Sequence, residues 1–132
     1  VFGIGPKMFR EICKEEKYQV FSDEDHSING CQTHPHHFML QLITETGIIG
    51  LFPVVAVFLL SVFYLFTNFF MPLFKKRVIL SDEKIMFMST IIINLWPFVP
   101  SGNFFNNYLS ILIYFPLGFL IYLVYSKNYS IK

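Results

Sequence analysis

The chain has 132 residues, of which 54% are hydrophobic, 19% aromatic and only 14% charged, and its mean hydropathy is +0.52. That is far more apolar than a water-soluble domain of this length needs, so the chain reads as an integral membrane protein. A formal net charge of +1, with Lys and Arg scattered and two of the densest basic sites flanking apolar runs, excludes nucleic acid as a partner.

No basic, apolar and small-residue signal pattern opens the sequence at Val1, and the chain is expected to be a piece of a longer protein. Residues 1–35 read as a polar headpiece. Gly3, Gly5 and Pro6 predict a turn, and KMFREICKEEKY after them predicts a short helix with Met8, Phe9, Ile12 and Cys13 on one side. Gly3-x-Gly5 is no dinucleotide fingerprint, because the third glycine and a following βαβ pattern are both missing. The segment QVFSDEDHSINGCQT is turn-rich. Its acids Asp23, Glu24 and Asp25 lack the alternating ligands, central glycine and terminal glutamate of a calcium loop, and read as solvated.

The stretch Cys31–Leu51 concentrates the titratable chemistry: His34, His36 and His37 stand just ahead of the longest apolar run. From His36 to Thr46 the apolar positions Phe38, Met39, Leu42 and Ile43 recur at helical spacing, with Gln41, Thr44 and Glu45 on the other side. This predicts a helix lying at or dipping into a membrane interface. Gly47 and Gly50 permit close packing or a bend, and the sequence is then uncharged as far as Phe74. At about 1.5 Å per residue, residues 48–73 span a hydrocarbon core of about 30 Å, with Pro53 early enough to disturb only the first turns. Lys75, Lys76 and Arg77 follow. A second run, 84–99, carries Trp96 at the level of an aromatic belt and reads as a short span, which a snorkelling Lys84 would help to extend. After the turn-rich PSGNFFNN, in which Ser101, Asn103 and Asn106 are turn formers, the third span is 108–126.

The expected architecture is all-α and polytopic: an N-terminal extracytoplasmic loop region with short helices (1–46) and a bundle of three transmembrane helices (47–132). Basic residues after the first span, and Lys127 and Lys132 after the third, place those ends in the cytoplasm. Residues 1–46 and 100–107 are then both outside. Cys13 and Cys31 fall in that outer segment, where a pair of cysteines is expected to form a disulfide, the other arrangement being two separately buried thiols. Cys31, His34, His36 and His37, with His26 nearby, supply enough ligand types for zinc, but the closed-site spacing is absent, and no metal is expected.

The run HHFMLQLITETGIIG, in which His36 and His37 are followed after nine residues by Gly47-x-x-Gly50, resembles the signature of the O-antigen ligase and polymerase superfamily. Thr33-His34-Pro35 and the upstream GIGPKMF (Gly3–Phe9) resemble that family's outer loop, and WPFVPSGNFFNN (Trp96–Asn107), followed by a span with Leu117-Gly118, is similar to its C-terminal end. The resemblance implies the C-terminal part of a multi-pass glycosyltransferase of the bacterial inner membrane. Its active face would be periplasmic. It would work among membrane lipids on an undecaprenyl-diphosphate-linked glycan and pass it to a lipid A core acceptor, together with the remaining N-terminal helices of the same protein. The chemistry resembled is independent of metal and of any cofactor.

Under that resemblance His36 is the candidate general base, its imidazole suited to take a proton near neutral pH. His34 and His37 are candidates to orient it or to contact substrate, Arg10 and Lys7 to meet phosphate, and Glu45 to line the cavity. Two departures stand out: His37 occupies a position where the family has Asn, and the arginine that precedes G-x-G in the family is not among these residues. A polymerase extending one lipid-linked glycan with another, and a non-enzymatic membrane subunit whose histidines only pack, remain alternative readings.

Overall fold

The computed structural model describes residues 2–15, 18, 36–74, 80–98 and 100–129. They are helical and contain no strand: α1 (Phe9–Ile12), α2 (Phe38–Glu45), α3 (Gly47–Phe70) continued by a 3₁₀ turn (Met71–Phe74), α4 (Asp82–Asn94) and α5 (Asn107–Tyr129). Two of them, Gly47–Phe74 and α5 over Asn107–Ser126, are long and apolar enough to cross a membrane. Little of either is buried by protein, and Phe52 and Phe69 of α3 are 72% and 73% exposed, a surface suited to hydrocarbon rather than water.

The expected span 84–99 is helical only to Asn94. Pro97 accounts for the stop, because its ring disfavours helical backbone at Trp96, and the helix closes on its C-cap Leu95. Thirteen residues rise about 20 Å, short of a hydrocarbon core of about 30 Å. The predicted N-terminal helix is likewise shorter than its sequence pattern, a single turn with Phe9, Ile12 and Cys13 half-buried and Met8 exposed.

The chain forms two compact units, Val1–Pro53 with Pro97–Asn106, and Val54–Trp96 with Asn107–Lys132. The loop after α4 therefore belongs with the N-terminal residues rather than with the helices that flank it in sequence.

In the second unit α4 and α5 pack through stripes at helical spacing, Met88, Ile91 and Leu95 on one and Ile113, Pro116 and Leu120 on the other. Phe87 stacks on Phe119 with centroids 5.4 Å apart. From α3, Ser61 is buried and returns its hydroxyl to the Val57 carbonyl at 2.8 Å, which satisfies it within the helix. The Asn68 side chain accepts the Leu80 N–H at 3.0 Å and so ties the end of α3 to the approach to α4.

In the first unit α2 is the central element. Its buried residues are Phe38, Gln41, Leu42 and Glu45, an i, i+3, i+4, i+7 stripe. Leu40 and Ile43 are exposed instead. The helix therefore sits rotated from the face that its apolar pattern predicts, with two polar side chains turned inward. Thr46 caps α2, and Gly47 adopts φ +70°, the left-handed step that ends one helix and starts the next.

Candidate functional site

Two segments distant in sequence close on α2. At its C-terminal end the segment before α1 docks through backbone bonds, Ile4 N–H to the Thr44 carbonyl at 2.9 Å and Gly5 N–H to the Glu45 carbonyl at 2.8 Å, which supply donors to carbonyls the helix leaves unpaired. The approach is so close that a Cβ on Gly3 would overlap the backbone of Glu45 and Thr46. Gly5 (φ +107°), Pro6 and Lys7 (φ +65°) then reverse the chain in a turn closed by Met8 N–H to the Gly5 carbonyl at 3.2 Å. Proline at the second position and a left-handed third residue is the type II pattern, here with lysine where glycine is usual. The turn aims the Lys7 backbone N–H at Glu45 Oε2, 2.8 Å away.

At the other end the loop 97–106 wraps the start of α2. Ser101 N–H donates to the His36 carbonyl at 3.0 Å, and the Phe38 N–H donates to Ser101 Oγ at 2.7 Å. The N-cap residue of α2, His37, makes no side-chain capping bond of its own, so the first N–H of the helix is capped by a serine far along the chain. Phe104 is buried and stacks against Phe38, centroids 6.2 Å apart.

Gln41 joins the two ends. It is fully buried; its carbonyl oxygen accepts the Phe104 N–H at 2.8 Å, and its amide nitrogen donates to Asn103 Oδ1 at 3.0 Å and to Glu45 Oε2 at 3.3 Å. Asn103 Oδ1 also takes the Phe105 N–H at 2.9 Å, the side-chain turn its sequence position predicts. Every polar atom of the Gln41 side chain is thus in use. Leucine at position 41, close in volume, leaves the buried Phe104 N–H without an acceptor and Glu45 with one donor fewer. We expect Gln41→Leu to destabilise the first unit by about 3 kcal/mol. Hydrogen exchange at the Phe104 amide checks this, and unchanged protection there would rule it out.

The residues expected to act on substrate occupy different environments. His36 is exposed at the mouth of α2, its backbone held by Ser101 while its ring lies on the surface. His37 is half-buried, and its Nε2 donates to the Pro97 carbonyl at 2.7 Å. That bond requires a proton on Nε2, because a carbonyl can only accept. Its Nδ1 is buried and has no hydrogen-bond partner among the described residues. His37 therefore turns its ring to the loop rather than to His36.

Glu45 is 2% exposed. Its carboxylate takes donors from Lys7 and Gln41 inside the unit, so it braces the N-terminal segment from within. Lys7 and Arg10 are exposed; Arg10 Nε lies 3.9 Å from Glu11 Oε1, and Glu11 also pairs with Lys14 at 3.0 Å. Such exposed pairs contribute little to stability. His34, Cys31 and His26 lie outside the described residues. With them lie the second half of the expected Cys13–Cys31 disulfide and most of the zinc ligand set that was considered.

Ser101 and Gln41 are the residues that sequence reasoning missed as determinants of this site. Turn chemistry around Ser101 was visible, but which helix the turn would cap was not, and the polar side of α2 on which Gln41 stands gave no sign of the partners it would meet. No protein-family model, no curated protein and no solved structure matches the chain.

Proposed function

We propose that this chain carries the glycan-transfer site of a membrane glycosyltransferase, with His36 as general base. The observation that carries the reading is the form of the His36 turn: backbone held by Ser101, ring exposed, on a helix whose packing depends on Gly3, Gly47 and Gly50 of the resembled pattern. A sugar hydroxyl is a poor nucleophile at neutral pH. As it attacks the anomeric carbon, its proton passes to the imidazole, the new C–O bond forms, and the bond to the diphosphate breaks from the opposite face. The anomeric configuration inverts. The diphosphate leaves without any nucleotide cofactor, and cationic groups near the site offset its growing charge. The exposed Arg10 and Lys7 are the candidates, Lys7 docking at the end of α2 opposite His36, with His37 and Glu45 acting from inside the unit and His34 outside the described residues.

The donor in this reading is an undecaprenyl-diphosphate-linked glycan and the acceptor a lipid A core, on the periplasmic side of an inner membrane. The test uses the full-length protein in membranes with that donor and purified core. Glycan on the core supports ligation, lengthened lipid-linked glycan assigns polymerisation, and neither product overturns the reading. Three spans with a cytoplasmic C-terminus belong to the same proposal, the short α4 crossing with its flanking residues. Lys76→Cys is then expected to escape an impermeant thiol reagent in intact spheroplasts, and labelling there would reverse the orientation. A Cys13–Cys31 bridge would stabilise the headpiece by about 3 kcal/mol. It is expected to resist alkylation until reduced.

A further inference from the structure

We propose that Ser101 is the positioning residue of this site, setting where the His36 ring stands; the inference rests on the transfer reading above. His36 precedes α2 and the N-cap His37 is extended (φ −147°, ψ 113°), so the helix fixes this turn at one point, the His37 carbonyl, which accepts the Gln41 N–H at 3.0 Å, and the rest must be fixed from outside. Ser101 does so from two sides. Its N–H holds the His36 carbonyl at 3.0 Å and its Oγ accepts the Phe38 N–H at 2.7 Å, bracketing His37 between two bonds from a single residue. The third restraint comes from the same loop, where the Pro97 carbonyl takes the His37 ring N–H at 2.7 Å and stops the turn from rotating. All three bonds spend polar groups on the backbone or on His37. The ring of His36 is left on the surface with its origin fixed.

Ser101 itself is half-buried and its oxygen accepts the Phe38 N–H, so its role in this proposal is to act through His36. The need for such a clamp is chemical. A general base works only within hydrogen-bond reach of the proton it removes, and displacement by about 1 Å lowers the rate up to about 100-fold.

The hydroxyl is tested by a pair of nearly isosteric variants in the full-length protein, Ser101→Thr, which keeps the oxygen, and Ser101→Val, which replaces it with a methyl group. Transfer is measured per inserted molecule. Ser101→Val is expected to lose about 10- to 100-fold in kcat with KM within about twofold, and Ser101→Thr to retain nearly all of it. Ser101→Ala, which removes the oxygen without adding bulk, is read in parallel, so that a packing failure of valine does not blunt the test. Because Ser101 works through His36, the Ser101→Ala/His36→Ala double variant is expected to be no slower than His36→Ala alone. Normal kcat in both Ser101→Val and Ser101→Ala overturns the proposal, as does a double variant slower than His36→Ala by the full factor of the serine change. If His36→Ala is slow while the serine variants are normal, the clamp falls and the transfer reading stands. If His36→Ala transfers at the wild-type rate, both fall.

Discussion

Replacing His36 with alanine in the full-length protein is expected to lower glycan transfer about 100-fold or more while leaving membrane insertion and folding unchanged. The two halves of this expectation have separate causes. The loss of rate follows from removing the only group proposed to take the acceptor proton. Folding survives because the first unit holds this residue by its backbone: Ser101 bonds to the His36 carbonyl, which alanine keeps, and the residue is exposed. Transfer at the normal rate from a correctly inserted His36→Ala protein would make this histidine structural. His37→Asn is the informative companion, since it restores the residue usual in the resembled family but removes the ring that bonds to Pro97. If activity persists in His37→Asn, the departure from the family pattern is harmless.

The second large effect is expected at Gly3, far from any proposed chemistry. A Cβ there meets the Glu45 carbonyl group and the Thr46 nitrogen, all backbone atoms that no rotamer change can move. Gly3→Ala must therefore lift the N-terminal segment from α2. Lifting it costs the Ile4 and Gly5 N–H bonds to the end of the helix and the Lys7 N–H bond to Glu45, leaving a buried carboxylate with Gln41 as its remaining donor among the described residues. Three hydrogen bonds at about 1 kcal/mol each, with the under-satisfied carboxylate added, give a loss of about 3–5 kcal/mol. Hydrogen–deuterium exchange over residues 2–12 reads it directly, and retained protection of the Ile4 and Gly5 amides would show that the segment does not dock this way.

Gly50→Ala meets a second close approach. Its Cβ meets both Oγ1 and Cβ of Thr46; rotation moves the hydroxyl at the cost of its 2.8 Å bond to the Leu42 carbonyl, but Thr46 Cβ is fixed by the backbone, so the backbone at the junction of α2 and α3 must shift as well. A loss above the about 1 kcal/mol of that hydrogen bond is expected there. Both glycines belong to the pattern that resembles the glycosyltransferase superfamily. In this chain both have packing reasons to be glycine, because each faces an atom that no rotamer change can move.

The two long helices were legible in the sequence because the signal for them is local. An uncharged run that ends at Lys75, and another bounded by Asn107 and Lys127, fix length and apolarity residue by residue, and both runs are helical in the structure. Chemistry at the mouth of the first run was legible as well, since the histidines, Glu45 and the glycines stand together in sequence. Local pattern did not determine which way α2 faces. Counting apolar positions set Gln41 and Glu45 apart from Phe38, Met39, Leu42 and Ile43, whereas the folded chain buries Gln41 and Glu45 together with Phe38 and Leu42 and exposes Ile43. The reason is that two strips of backbone, one before α1 and one between α4 and α5, reach α2 with N–H groups that need acceptors: Lys7 finds Glu45, Phe104 finds Gln41, and Phe38 on α2 itself finds Ser101. A buried donor left without an acceptor costs more than an exposed isoleucine, so the polar stripe turns inward. Those partners lie about 40 and 60 residues away in the chain. Only the tertiary structure could bring them to the helix, and with them it decided that His37 is held inside the loop while His36 is left at the surface.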